Sequence, residues 1–279
     1  MEKFCSYRNG QLAYHITGTG PVVLLLHGFG EDASIWDEQV NFLKNAFTVI
    51  TPFIPGTGPS ALLQPSAENE VVLIEDYAKA IKQIIETEAI TSFVMLGHSL
   101  GGYITLAFAV LYPDLLSGFG LIHSTAFADN AEKKENRIKG IRIMEEYGAY
   151  TFIKTTIPNL FGAKHKAAYP EKTDLLIEKA FKSNTVACQQ YYEAMRLRPD
   201  RTDVLKNAQC PVLFIIGTED KAAPMEDMLQ QSHLPNCSYV HILPESGHMG
   251  MWEDTEIVNQ HIRHFLNAIY HPVAHTPGN

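Results

Sequence analysis

Short runs of unbroken apolar residues alternate along this chain with stretches whose apolar positions recur every three or four residues. The unbroken runs are PVVLLL at 21–26, FTVIT at 47–51, FVML at 93–96, GFGLIH at 118–123 and PVLFIIG at 211–217. Strands that are apolar on both sides belong to a parallel sheet covered on both faces, so these runs predict parallel neighbours. Two short alternating strands are expected between Gly10 and the first run, and SYVHIL at 238–243 closes the series. The stretches between them read as helices: about Ser34 to Ala46, Val71 to Ile85, the segment after Gly101 that Pro113 ends, one after Pro224, and about Glu253 to Tyr270. In the second of these, Ile74, Tyr77, Ala78, Ile81, Ile84 and Ile85 keep the spacing that lines one helical face.

The alternation is interrupted once. From 129 to 200 the chain is rich in helix formers and contains no clear strand, which predicts a helical cap inserted into an α/β core made of 1–128 and 201–279. The fold class expected is therefore α/β, a mostly parallel, doubly wound sheet with that insertion. Charge follows the same division. Between Ala131 and Asp200 there are 13 Lys and Arg against 9 Asp and Glu, a net of +4, while the whole chain carries −9 and the remainder −13. Such an excess ordinarily keeps a helical surface solvated. A sharper alternative is that cap cations such as Arg196 or Arg198 meet an anionic group on a substrate.

Composition narrows the function classes. A chain of 279 residues, 46% hydrophobic, buries a sizeable core without staples. Cys5, Cys188, Cys210 and Cys237 lack metal-ligand or paired spacing, so reduced thiols and a cytoplasmic setting are expected. No signal-peptide core or membrane-length apolar run is visible, and the net negative charge disfavours binding to phosphate backbones. Neither a nucleic acid nor a membrane is expected as partner. A small-molecule substrate is, with the chain a monomer or homodimer.

Candidate chemistry concentrates in FVMLGHSLGGYITLAFAVLY at 93–112, where Ser99 sits between Gly97 and Gly101 at a strand-to-helix junction. The G-x-S-x-G letters are common. Their strand-turn-helix context is not, because a serine on a sharp turn needs neighbours without Cβ. A serine hydroxyl at neutral pH also needs a base and a group that orients the base. His248, in the loop after SYVHIL, and Asp220, after PVLFIIG, stand in suitable places and in the order Ser, Asp, His. Glu219, Asp227 and Glu245 are neighbouring carboxylates that compete with Asp220, and His27 and His98 compete with His248.

With His27-Gly28-Phe29-Gly30 after the third strand, Gly97 to Gly102, Gly217 with Asp220 and Pro224, and Gly247-His248 before the last helix, the chain resembles the α/β-hydrolase family over almost its whole length. The resemblance implies Ser99 as nucleophile, His248 as general base and then acid, and Asp220 as the orienting carboxylate. It implies an oxyanion hole from the backbone N–H groups of Phe29 and Leu100, and gives His27 and His98 structural roles. The sequence departs from the family at Phe53-Ile54-Pro55-Gly56-Thr57-Gly58-Pro59-Ser60, where Phe53 replaces an expected Asp and leaves that loop's polar anchoring open.

Gly28 lets the backbone turn toward a substrate. Trp36, Tyr191, Tyr192, Met195, Met249 and Trp252 are expected either to line a substrate cavity or to pack in the core. No cofactor or metal is expected, since the chain has neither an H-E-x-x-H motif nor a G-x-G-x-x-G opening its first helix. The leading expectation is a serine hydrolase of small esters or related acyl compounds. The alternatives are a carbon-carbon bond hydrolase or lyase using the same triad, and a ligand-binding receptor without turnover.

Overall fold

The computed structural model describes residues 1–65 and 70–271. Among these, eight strands form one sheet: β1 (Glu2–Tyr7), β2 (Gly10–Thr17), β3 (Val22–Leu26), β4 (Thr48–Pro52), β5 (Phe93–His98), β6 (Leu116–Ile122), β7 (Val212–Gly217) and β8 (Ser238–Leu243). Their spatial order is β1-β2-β4-β3-β5-β6-β7-β8. Only β1 with β2 and β2 with β4 are antiparallel, and every pairing from β4 through β8 is parallel.

Burial follows the apolar pattern. Every residue of β5 and of β7, unbroken apolar runs in the sequence, is buried, as a strand covered on both faces requires. The edge strands differ: β1 buries Cys5 alone, and β8 leaves Val240 and Ile242 partly exposed. The first strand also lies before Gly10 rather than after it, pairing with β2 as a hairpin. An edge strand with one buried side chain carries too little hydrophobic pattern to announce itself.

Twelve helices accompany the sheet among the described residues: α1 (Asp37–Leu43), α2 (Ile74–Thr87), α3 (Leu100–Leu111), α4 (Ala131–Tyr147), α5 (Ala149–Thr156), α6 (Ala163–Ala168), α7 (Pro170–Ala180), α8 (Thr185–Leu197), α9 (Thr202–Lys206), α10 (Met225–Ser232), α11 (Gly250–Glu253) and α12 (Thr255–Tyr270). The apolar face read from Ile74 to Ile85 is buried, and α2 packs on α3 while α1 packs on α12. No helix among the described residues is long and apolar enough to cross a membrane.

Helices α4 to α8 all fall between β6 and β7, with no strand among them. Asn130 and Asn184 cap α4 and α8, each side chain accepting from a backbone N–H in the first turn, at 2.8 and 3.0 Å. The α8 helix fastens this insertion to the sheet side. Tyr191, fully buried on α8, donates its hydroxyl to Pro55 O at 2.6 Å and sets its ring 5.3 Å from that of Tyr77 on α2. Tyr191→Phe strands the Pro55 carbonyl in a dry contact, which costs about 1–3 kcal/mol. The expected result is a lower urea midpoint with an unchanged denaturant slope, measured by equilibrium unfolding.

Candidate active site

Parallel strands place all their C-terminal ends along one edge of the sheet, and ligands of open α/β sheets bind there. Here that edge gathers the loops after β3, β5, β6, β7 and β8, which carry Gly28-Phe29, Ser99, His123, Asp220 and His248. Ser99 occupies the left-handed half of backbone space, φ 50° and ψ −114°, where a side chain is strained. Three glycines make room for that turn. A Cβ on Gly97 would lie 2.2 Å from Gly101 O, one on Gly101 2.6 Å from Leu26 O, and one on Gly102 2.3 Å from Ser124 Oγ. The turn is pinned by Ser99 N–H donating to Ile122 O at 3.1 Å and by Ser124 Oγ donating to Ser99 O at 2.8 Å. Ser99 Oγ has no hydrogen-bond partner among the described residues.

Asp220 is buried and fully satisfied. Its Oδ1 accepts the N–H groups of Ala222 and Ala223, both at 2.9 Å, while Oδ2 lies 2.8 Å from His248 Nδ1 and 3.1 Å from His123 Nδ1. Burial opposes its charge, but His248 beside it and the hydrogen bonds from both rings hold its carboxyl well below the usual carboxylate range. The same pairing acts on His248: burial disfavours the imidazolium, yet the Asp220 charge and hydrogen bond win and raise its pKa above the ordinary 6.5. With Nδ1 committed to Asp220, Nε2 is the nitrogen left for chemistry.

His123 is a member of this cluster that the sequence reading passed over. Its Nε2 accepts the Gly250 N–H at 3.2 Å, so its proton sits on Nδ1 and points at Asp220. Burial lowers its pKa to about 4, against the pull of Asp220, and keeps the ring neutral. His123, Asp220 and His248 converge closely enough to hold a metal ion. The tautomer argues against that use, because a metal at His123 Nδ1 would move the proton to Nε2, against the Gly250 N–H.

The loop after β3 is tied into the same network. Glu31 Oε2 accepts Gly28 N–H at 2.6 Å and faces His98 Nδ1 at 3.0 Å, and His98 Nε2 faces His248 O at 2.9 Å. Both ring nitrogens of His98 therefore meet acceptors, and the ring ties Glu31 to the His248 loop. Burial works against the Glu31 charge, and the His98 charge and hydrogen bonds outweigh it, leaving this carboxyl below its ordinary range. A Cβ on Gly28 would come within 3.2 Å of Ser99 Cβ. Neither Phe29 N–H nor Leu100 N–H, the latter in the first turn of α3, has an acceptor among the described residues. On the far side, Glu253 accepts from Gly247, Met249 and Gly162, and His248 N–H donates to Leu160 O at 2.6 Å, so the insertion clasps the His248 loop.

The other expected residues divide. His27 is structural: Nε2 accepts Ile54 N–H at 3.1 Å and its ring also meets Thr57, anchoring the loop that lacks the expected Asp. Ser60 adds a bond to Phe53 O at 2.7 Å, and Phe53 itself packs with Ala13 and Ala33. Glu219 accepts the Ala163 N–H, Glu245 pairs with Lys164 and Asp227 lies near Lys133, so none of the three meets His248. Trp36, Met195 and Met249 are buried in the core cluster; Tyr191, also buried there, borders a small cavity of about 60 Å³ beside Gly30 and Glu31, and Trp252, which borders a surface cavity beside Lys179, donates its indole N–H to Ile35 O at 2.9 Å. Tyr192 has a different setting. It lines a cavity of about 330 Å³ between α4 and the Asp220 loop, with its ring 4.5 Å from that of Phe29. A larger cavity, about 590 Å³, lies at the opposite end of the strands near Leu116 and Cys210, away from every group above.

Arg196 and Arg198 do not meet that cavity as free cations. Arg196 pairs with Glu193 on its own helix, and Arg198 is buried against Asp129, Met195 O and Phe127 O. Helical periodicity does not reveal which cation a carboxylate has already claimed.

Residues 23–260 match the model of the Alpha/beta hydrolase family. The (E)-2-((N-methylformamido)methylene)succinate hydrolase of Acinetobacter baylyi is 23% identical over 271 residues, covering 96% of this chain and 99% of the relative. The 2-hydroxy-6-oxononadienedioate/2-hydroxy-6-oxononatrienedioate hydrolase of Paraburkholderia phymatum is 27% identical, covering 91% of this chain and 90% of its own length. Among solved structures, a malate-bound thermophilic esterase from Thermogutta terrifontis superimposes with a TM-score of 0.89 at 29% identity, over 97% of this chain and 99% of its own.

Gly101→Ala drives a methyl group into the backbone carbonyls of Leu26 and His27, at 2.6 and 2.7 Å. Neither can move without displacing the sheet. A loss of roughly 3 kcal/mol or more is expected, as for a severe steric insertion in a packed core. Thermal unfolding followed by circular dichroism measures it.

Proposed function

The chain belongs to the alpha/beta hydrolase family, and from that premise we propose that it is a serine hydrolase cleaving a small ester or related acyl compound through an acyl-enzyme. The observation that carries this reading is the His248–Asp220 pair, joined at 2.8 Å on the same sheet edge as the strained Ser99. In the proposed cycle His248 Nε2 accepts the Ser99 proton as Oγ attacks the carbonyl carbon. The tetrahedral oxyanion is met by the N–H groups of Leu100 and Phe29. Collapse breaks the bond to the leaving group, which departs with the proton held by His248. Water, deprotonated by the same ring, then attacks the acyl-enzyme and frees Ser99 with the acid. Asp220 keeps its charge throughout and holds the ring, and His123 steadies Asp220 from the other side. The helices between β6 and β7 act in this reading as a cap over the site.

A second reading, hydrolysis of a carbon-carbon bond in a carboxylate-bearing substrate, is favoured by the name of one relative, the 2-hydroxy-6-oxononadienedioate/2-hydroxy-6-oxononatrienedioate hydrolase. It uses the same Ser99, His248 and Asp220. Labelling with a fluorophosphonate probe, together with turnover of a short p-nitrophenyl ester series, separates the readings. Acyl transfer predicts labelling and a product burst, both lost in Ser99→Ala. Labelling without ester turnover favours the second reading, and neither labelling nor turnover favours a ligand-binding receptor.

His248 must be neutral to accept the serine proton, and its pKa is raised by Asp220 against the effect of burial. Activity therefore falls as pH drops through that raised value. The expected kcat/KM profile has an ascending limb with its midpoint above 6.5. Asp220→Asn is expected to move the midpoint down and to lower kcat by about 10³–10⁴-fold, as loss of the orienting charge does in such triads. Glu219→Gln is expected to do neither.

A further inference from the structure

The 330 Å³ cavity carries an excess of positive charge that the proposed cycle does not use. Lys133 and Arg137 on α4 and Lys221 beside Asp220 line it; Asp129 is the carboxylate among the lining residues, and Asp227 lies 3.8 Å from Lys133, which leaves Arg137 and Lys221 as the source of the excess. Asp129 is already shared. Arg137 Nε donates to its Oδ2 at 3.1 Å, and Arg198 Nη1 lies 2.9 Å from its Oδ1. Two guanidiniums on one carboxylate, Arg198 buried and Arg137 partly buried, leave a unit of positive charge uncompensated in a partly desolvated place.

Of the two, Arg198 is immobilised. It donates to Met195 O and Phe127 O, and its guanidinium stacks 3.8 Å from the Tyr103 ring centroid. Arg137 donates to Asp129 through Nε, lies 4.7 Å from the Tyr192 ring centroid and lines the cavity, so the edge formed by its two Nη groups is not committed to a carboxylate. That edge is the face with which arginine grips a carboxylate. The cavity also adjoins the chemistry on two sides. Tyr192 touches Phe29, and Ala222 donates its N–H to Asp220.

Resting on the serine-hydrolase reading, we propose that Arg137, supported by Lys221, binds a carboxylate at the far end of the acyl group, making the preferred substrates hemi-esters of short dicarboxylic acids. The contact of Tyr192 with Phe29, 4.5 Å between ring centroids, links the cavity to the loop after β3. The volume suits a short acyl chain.

The test compares mono-p-nitrophenyl glutarate with neutral p-nitrophenyl butyrate, and separately measures glutarate binding by calorimetry to the wild type and to Ser99→Ala. The wild type is expected to show a lower KM for the hemi-ester. Arg137→Gln is expected to raise that KM by about tenfold or more with kcat nearly kept, as loss of a charge-assisted bidentate contact does, and Arg137→Lys to fall between. Arg198 still neutralises Asp129 in these variants, and circular dichroism checks that they fold. Lys139→Gln removes the same charge from an exposed position of α4, where Lys139 pairs with Glu135, and is expected to leave the preference intact. Equal KM values for the two esters in the wild type, with no glutarate binding, overturn the anion site and leave the hydrolase reading standing. Glutarate binding that Ser99→Ala keeps and Arg137→Gln loses, without ester turnover in any form, upholds the anion site and overturns the ester reading. A preference that Lys139→Gln abolishes as fully as Arg137→Gln reduces the effect to overall charge and overturns the proposal.

Discussion

The close approach of β5, α3 and β3 at Ser99 is the constraint on which the rest of the molecule depends. A serine at φ 50° persists only where its surroundings leave no alternative. Gly97 and Gly101 let the strand and helix backbones touch, and Gly101 admits the end of β3 against the same turn. One compact junction thereby fixes the serine, the first turn of α3 and the loop after β3 relative to each other. The strain is small beside the core that imposes it, which includes Leu24, Leu25, Met95 and Leu96, all fully buried.

Around that junction runs a chain of buried polar groups whose members satisfy one another. From Gly28 it passes through Glu31 and His98 to the His248 carbonyl, then through the His248 ring to Asp220, His123 and the Gly250 N–H. Burial alone would neutralise each charge in it. Every carboxylate keeps its charge because an imidazole and backbone N–H groups face it. Such networks stabilise when complete and cost several kcal/mol when one partner is missing, about 3–5 for a broken buried pair. The cationic insertion meets the acidic body in a looser way, through surface pairs such as Lys164–Glu245 at 2.8 Å, which contribute little in water.

Much of the architecture was legible because burial on both faces leaves a plain trace: FVML and VLFIIG cannot lie on a surface. Ser99 and Asp220 were legible because each follows such a strand, and His248 because it follows β8, which closes the same series at the sheet edge. By that same rule His123, directly after β6, was also in view, but it belonged to no motif and its role depends on where β7 lies beside it. Glu31 lacked any periodic signal, since its partners are 3 and 67 positions away and only folding brings them together. Trp36 and Met249 read as cavity lining or as core, with core the commoner fate of a large apolar residue, because hydrophobicity has no direction in a sequence. The charge excess of the insertion was visible, yet the fold pairs Arg196 with Glu193 and Arg198 with Asp129, which periodicity along the chain does not show.

His98 stands between loops that are usually treated as separate parts of such a centre. Its ring reaches Glu31 on one side and the His248 carbonyl on the other. A designer who transplanted only the serine, the histidine and the aspartate into another scaffold would leave behind the brace that keeps the His248 loop and the loop after β3 in step. The smallest transferable unit of this protein is consequently five side chains with their strand ends, and the interval between loops is as much an inherited quantity as the residues themselves.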